Sequence, residues 1–279
     1  MGITTDIVLS TINARFAHSA LGLRYLKANL GEFAPQCEIV EFVLGQSPAE
    51  MAEQILAHKP KILGLSVYIW NIHESTALVQ VLKQVAPELV IVLGGPEVSH
   101  EPLEQTIVKK ADYLITGWGE VSFRELVRAL LLGPQPLMKI IPGKQPPLSE
   151  IERPYLLYSE ADIRHRLIYV EASRGCPFKC EFCLSSLDKT AWPFDTELFL
   201  QDLEHLYQRG VRTFKFIDRT FNLNIKVSLK ILQFFLDKLA ASPDDPVFAH
   251  FEVVPDHLPE ALKQAIQQFP AGSLQFEIG

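Results

Sequence analysis

Alternation constrains this chain more than any other feature. Short apolar, β-branched runs take turns with amphipathic helical patterns from the amino terminus onward. "DIVLS" (6–10) leads to a helix near 19–33, and "EIVEFVL" (38–44) to one near 48–58. "KILGLSV" (61–67) leads to a helix near 73–85, "LVIVLGG" (89–95) to one near 101–110, and "DYLIT" (112–116) to one near 120–132. Strands that are apolar almost throughout need cover on both faces, and strands separated by helices pair in parallel. In such a sheet the loops that follow the strands gather at one edge, where ligands bind.

The expected fold is therefore α/β. A flavodoxin-like (Rossmann-like) doubly wound parallel sheet occupies residues 1–145. A proline-rich stretch, "LLGPQPLMKIIPGKQPPLSEIERPYL" (131–156), then breaks the pattern. Proline stops helices and removes amide donors, so this stretch reads as extended, with a linker over 146–165. The rhythm resumes in a second domain over 166–279. Its strands are "LIYVEAS" (167–173), "TFKFID" (213–218), "VFAHFEVV" (247–254) and "SLQFEI" (273–278), with helices near 196–209, 225–241 and 258–268. Repeated βα units predict a partial (β/α) barrel with its site at the carboxyl ends of the strands. The sequence stops on a strand without its covering helix, so the barrel reads as incomplete and the domain as truncated.

Composition excludes several classes. The net charge of −7 offers no broad basic surface, so nucleic acid is not an expected partner. No apolar run is long enough to span a membrane, and the start "MGITTDIVLSTINARF" lacks the parts of a signal peptide. A cytoplasmic protein without a membrane partner is expected. Four cysteines in such a chain do not make a disulfide framework, and Cys37, alone in an apparent strand, reads as a small buried hydrophobe.

The loops at the carboxyl edge of the first sheet are distinctive. They read "TINARFAHSALG", "SVYIWNIHES", "GGPEVSH" and "GWGE". Gly94, Gly95, Gly117 and Gly119 permit close backbone approach to a ligand. Tyr68, Trp70 and Trp118 can supply flat apolar walls. For any single loop the plainer reading is that glycines end strands and aromatics fill gaps. Four such loops on one edge point to a large, flat ligand. No G-x-G-x-x-G follows the first strand, so the dinucleotide fingerprint is missing.

The remaining three cysteines crowd into "EASRGCPFKCEFCLSS": Cys176, Cys180 and Cys183, spaced C-x3-C-x2-C, directly after an expected strand. Zinc and iron–sulfur clusters both take thiolates. A structural zinc wants a fourth ligand, and His165 and His205 lack finger-like spacing. A cubane [4Fe–4S] cluster on three cysteines keeps one iron open for a small molecule.

"CPFKCEFC" resembles the signature of radical S-adenosylmethionine (SAM) enzymes, with Phe182 at the aromatic position before the last cysteine. The preceding "GGPE" and "GWGE" loops and the break before the signature make the chain similar to the cobalamin-binding branch of that superfamily. The resemblance implies that Cys176, Cys180 and Cys183 ligate three irons and that SAM chelates the fourth. One electron then cleaves SAM to methionine and a 5′-deoxyadenosyl radical, with the protein positioning the cofactors and excluding side reactions. Reduced ferredoxin or flavodoxin is the implied donor, and a small molecule the substrate. Phe182, Asp218 and Arg219 in "FIDRTFN", Glu252 in "FEVVP" and Glu277 in "FEIG" are implied to face SAM. A solvated glutamate is the plainer reading of the last two. Arg174 reads as a surface charge or a phosphate binder.

His18 stands where the mutase-type pattern D-x-H-x-x-G carries a histidine below the corrin. Here Phe16 replaces the aspartate, and Gly22 comes one residue late. The missing carboxylate normally fixes the tautomer of a ligating histidine. The expectation is therefore cobalamin bound base-off, with His18 beside the ring but not on cobalt, and with Tyr68, Trp70, Gly94, Gly95, Gly117 and Trp118 completing the cradle. Methyl transfer to an unactivated carbon is the implied activity. Radical cyclisation or oxidation without methylation, and a non-catalytic cofactor-binding or sensor protein, are the alternatives.

Overall fold

Strands at Ile7–Asn13 (β1), Cys37–Val43 (β2), Ile62–Ser66 (β3), Val90–Gly94 (β4), Tyr113–Thr116 (β5) and Ile140–Pro142 (β6) form one sheet in a computed structural model that describes residues 5–181, 183 and 190–278. Their order is β2-β1-β3-β4-β5-β6, and every pairing is parallel. All seven residues of β1 are buried, as a strand covered on both faces requires. Helices Leu21–Ala28 (α1), Pro48–Ala57 (α2), Ile72–Val85 (α3), Pro96–Ser99 (α4), Thr106–Lys110 (α5) and Glu120–Leu132 (α6) supply the cover. One face packs Met51, Ile55, Leu78, Leu82 and Ile107 against the sheet, from α2, α3 and α5. The other packs Leu23, Phe123, Leu126 and Val127, from α1 and α6. This is the doubly wound sheet expected.

The structure corrects the proline-rich stretch. Its middle is not extended linker: Ile140 and Ile141 pair with Leu114 and Ile115 as the sixth strand. Pro142 is tolerated because β6 lies at the sheet's edge, where one side of the strand needs no donors. Farther on, residues 160–165 are helical (α7, Glu160–His165). Ser159 and Asp162 close a reciprocal capping box there, satisfying two amides at the helix start. By compactness the chain divides into two units, Met1–Leu157 and Tyr158–Gly279.

In the second unit, Ile168–Val170 (β7), Thr213–Phe216 (β10), Phe248–Val253 (β11) and Leu274–Ile278 (β12) make a parallel sheet in the order β12-β11-β10-β7. Two further strands, Ser173–Gly175 (β8) and Ala191–Pro193 (β9), pair antiparallel and bracket the cysteine loop. The expected strand over 167–173 is thus two short ones, parted at Glu171 and Ala172. Helices Thr196–Gln208 (α8), Ile225–Ala241 (α9) and Glu260–Gln267 (α10) complete the unit.

Unlike the first sheet, this one alternates. Phe214, Phe216, Ala249, Phe251 and Val253 are buried, while Lys215, His250 and Glu252 between them are half-buried. Phe216 is wholly buried among the rings of Phe199, Phe221, Phe235 and Phe251, with centroids 4.4–6.1 Å away. One face is therefore an aromatic core under the helices, and the other is a polar row. Among the described residues no helix is long and apolar enough to cross a membrane.

The aromatic packing predicts a large asymmetry between the faces. Phe216→Ala should cost about 3–5 kcal/mol in denaturant unfolding. Exposed Gln275→Ala should stay within about 0.5 kcal/mol. Equal losses would contradict the assignment of the faces.

Candidate functional site

The first candidate site lies at the carboxyl ends of β1 and β3, where the chain order reverses. Helix α1 leaves β1 toward one face and α3 leaves β3 toward the other, so their loops part at the point where doubly wound sheets bind ligands. Buried Asn71 fixes the β3 loop. Its Nδ2 donates to the Ile12 carbonyl at 2.9 Å and to Thr11 Oγ1 at 3.3 Å, and its Oδ1 accepts from the Tyr68 amide at 2.8 Å. Trp70 Nε1 donates to the same Ile12 carbonyl at 3.3 Å. Tyr68 and Trp70 stack on each other, centroids 4.4 Å apart and planes within 7°. They form one two-ring wall rather than two walls. Trp70 is 46% exposed, and its neighbours on these loops, Ile69 and Phe16, are 75% and 57% exposed.

The glycines separate by cause. A Cβ on Gly95, at φ +109°, would stand 2.3 Å from the Val67 carbonyl oxygen, so its close approach is to the chain's own backbone. Gly94 shows only ordinary contact, with the Ile115 carbonyl at 3.8 Å. Gly117, also left-handed, has nothing within 4 Å of its Cβ position and is open to a ligand. Trp118 is half-buried beside it.

His18 is half-buried, in a loop whose preceding residues 14–17 are exposed. Its amide donates to the Arg15 carbonyl at 3.1 Å, and its carbonyl accepts from Asn13 Nδ2 at 3.2 Å. Glu41 on β2 lies under this loop. It is buried with Arg24, whose Nη1 is 2.8 Å from Oε1, and its Oε2 accepts from Asn13 Nδ2 at 2.7 Å and from the Ala20 amide at 2.9 Å. Sequence reasoning missed Asn13, Glu41 and Asn71. The only signal was Glu41, the second of two acids in the otherwise apolar "EIVEFVL".

The second candidate site is the cysteine loop. Gly175, at φ +95°, can only be glycine: a Cβ would stand 2.4 Å from the Thr190 carbonyl and 2.9 Å from the Trp192 ring. Packing Trp192 onto Gly175 draws the two ends of the loop together. Cys176 is buried, Cys183 half-buried and Cys180 exposed, and the Cys183 amide donates to the Cys180 carbonyl at 3.1 Å. Among the described residues no three His, Cys, Asp or Glu side chains converge on a point. Phe182 lies outside the described residues.

Asp218, at the carboxyl end of β10, is fully buried and reaches the stem of this loop. Its Oδ2 accepts from the Ala172 amide at 3.0 Å and its Oδ1 from Ser173 Oγ at 2.6 Å. These bonds draw residues 172–173 out of line with β7 and start β8. Burial pushes its pKa from the ordinary 3.8 up to about 7; the nearby Glu171 adds to the rise, and the bonds from Ser173 and Ala172 oppose it. Arg174 is no free surface charge. Its Nη2 lies 2.6 Å from Glu171 Oε1, and its guanidinium sits 5.8 Å over the Phe194 ring.

The remaining candidates share the polar face of the second sheet. Glu252 and Glu277 are register partners on β11 and β12. Glu252 is half-buried, and burial raises its pKa against the pull of Arg219, which is exposed. Glu277 is exposed, 3.5 Å from His250 Nε2 and 4.0 Å from Lys215 Nζ. Burial, then Lys215, lowers the His250 pKa. Asn222 holds the loop beyond β11, donating to the Val254 and His257 carbonyls at 2.8 and 2.6 Å.

Both regions suit the groups the sequence implied. Thiolates on a short pinned loop are iron–sulfur donors. An exposed indole wall after β3, with an open glycine after β5 on the same sheet edge, suits a large ring. Residues 7–127 match the B12 binding domain family. Over 246 residues the chain is 28% identical to "Uncharacterized methyltransferase PH0819" of Pyrococcus horikoshii, covering 78% of this chain and 53% of that protein. It is 29% identical over 204 residues to the "Cobalamin-dependent radical SAM methyltransferase TokK" of Streptomyces tokunonensis, covering 62% of this chain and 29% of that one. The chain thus spans about half the length, or less, of these curated relatives. Its fold is similar to that of the radical SAM methyltransferase TsrM of Kitasatospora setae, solved with cobalamin and a [4Fe-4S] cluster bound. The TM-score is 0.75 at 15% identity, over 99% of this chain and 61% of that one.

The Asp218 environment sets a pH dependence. Its folded pKa lies above its unfolded one, so the folded chain holds the extra proton in the window from 3.8 to about 7. Stability therefore falls as pH rises through that window. Asp218→Asn cannot ionise and should lose this slope in denaturant midpoints taken at intervals across it. Parallel wild-type and variant profiles would contradict the assignment.

Proposed function

We propose, for a chain that resembles the cobalamin-binding radical SAM proteins and carries a B12 binding domain match over residues 7–127, that it is a methyltransferase. It cleaves SAM reductively and passes a methyl group by way of cobalamin to an unactivated carbon of a small molecule. One observation carries the reading: the domain match and three thiols within eight residues occur in one chain, and the thiols come directly after β8, which follows β7 of a second parallel sheet. The relatives' names support it.

When bound, the cluster supplies the electron that splits SAM, and cobalamin supplies a metal that carries methyl groups. The chain's own residues bind and position. Cys176, Cys180 and Cys183 would hold the cluster, which leaves one iron without a cysteine for SAM to occupy. The β8–β9 pair keeps the loop closed at its base, and Asp218 serves the site by anchoring its stem. Arg219, Glu252 and Glu277 would face SAM, a role that the resemblance also implies for Phe182. Glu252, partly desolvated with a cation nearby, suits a hydrogen bond to a ribose hydroxyl or an ammonium group. In the first unit the Tyr68–Trp70 wall, Gly94, Gly117 and Trp118 would receive the corrin, while Gly95 lets its loop close against the Val67 backbone. The protein works in the cytoplasm, with reduced ferredoxin or flavodoxin as donor.

Two measurements check this. The full chain, reconstituted anaerobically with iron, sulfide and hydroxocobalamin, should transfer a deuterated methyl group from labelled SAM to cobalamin under reduction. Cobalamin that stays unlabelled while SAM is cleaved would favour radical chemistry without methylation. Bound cob(II)alamin should show no axial nitrogen splitting from protein. A splitting that changes with nitrogen-15 histidine and disappears in His18→Ala would place His18 on cobalt instead.

A further inference from the structure

A buried ion pair in the first unit is bonded in a way that stability alone does not require. Glu41 sits on β2 opposite Thr11 of β1, and its side chain is 5% exposed. Burying a carboxylate and a guanidinium costs desolvation that their attraction often only offsets, and well-packed apolar residues can do as well. Apolar residues cannot accept directed hydrogen bonds. The Glu41 carboxylate accepts from Asn13 Nδ2, the Ala20 amide and Arg24 Nη1, and each of these belongs to the frame of the His18 loop. Asn13 is the last residue of β1, where the loop begins. Ala20 is the cap of α1, where it ends, and it offers no side-chain cap of its own. Arg24 stands one turn into α1, and its Nη1 also donates to the Ala20 carbonyl at 3.0 Å. Asn13 then passes the restraint inward by donating to the carbonyl of His18.

We infer that Glu41, acting through Asn13 and the Ala20 amide, is the positioning group of the cobalamin loop. It sets the height at which residues 14–19 meet the ring. The inference rests on the cobalamin reading above. It answers a gap in this sequence: Phe16 occupies the place of a carboxylate that would orient the His18 ring, and here a carboxylate from the neighbouring strand orients the loop's backbone instead.

The test uses the full chain and hydroxocobalamin, read by binding titration and by the visible circular dichroism that the protein induces in the bound corrin. Asn13→Ala cuts the tie to His18 and leaves the Arg24–Glu41 pair in place. It should fold, weaken cobalamin binding at least tenfold and alter the induced dichroism. Glu41→Gln should do the same, and the double variant should be no worse than Glu41→Gln alone. Lys83→Ala, which removes the ion pair to Asp112 elsewhere in the unit, should leave both readouts unchanged. Folded Asn13→Ala with wild-type affinity and spectrum overturns the inference. So does an Asn13→Ala chain that fails to fold, since Asn13 would then serve the fold. A wild-type chain that binds no cobalamin overturns the cobalamin reading and this inference with it.

Discussion

Parallel pairing is the constraint on which everything else depends. Each strand must cross back through a helix before the next can join, so every strand ends at the same edge. Both sheets obey this, and both collect their unusual residues there. The covering differs. β1 is buried at every residue because helices lie on both faces. β10 and β11 bury every second residue, leaving Lys215, His250 and Glu252 on a polar row. A sheet of the first kind offers chemistry only at its edge. A sheet of the second kind offers a face as well.

Holding loops still at such an edge falls to buried polar side chains. Asn71 ties the Tyr68–Trp70 wall to β1, Glu41 and Asn13 tie the His18 loop, and Asp218 ties the cysteine loop to β10. Each satisfies backbone groups that the end of a strand or the start of a helix leaves open. A buried polar group left unmatched is expensive, so each bond also discriminates against other loop conformations. Asp218 shows the cost of this arrangement. It sits deep enough, near Glu171, that its proton is held to about pH 7 despite two hydrogen bonds.

Much of the fold was legible in the sequence, because hydrophobic periodicity is local. The strand-to-helix alternation places β1 to β5 and β7, β10, β11 and β12. Reading failed where long-range bonding decides. β6 lies in a proline-rich stretch, and only its pairing with β5 makes it a strand. The β8–β9 pair begins where Asp218, forty-six residues on from Ala172, bonds residues 172 and 173. The alternation in "TFKF" and "FAHFEV" is present in the sequence, but those runs read only as barrel strands, and the half-covered sheet emerges from their burial. Of the site, the cysteine spacing and the aromatic loops could be read directly. Asn13, Glu41 and Asn71 could not, since their partners come from other strands and loops. Gly95 was legible as special, but its reason, the Val67 carbonyl, was not.

Whether Cys176, Cys180 and Cys183 hold a cluster with one iron open to SAM decides the proposed function. Electron paramagnetic resonance of the anaerobically reconstituted, reduced chain, before and after SAM is added, tests it most directly. About four irons per chain are expected, as a cubane requires, with a reduced-cluster signal that shifts with SAM and is missing when the three cysteines are alanine. Bound zinc in place of iron, or a cluster signal indifferent to SAM, would contradict the proposed function.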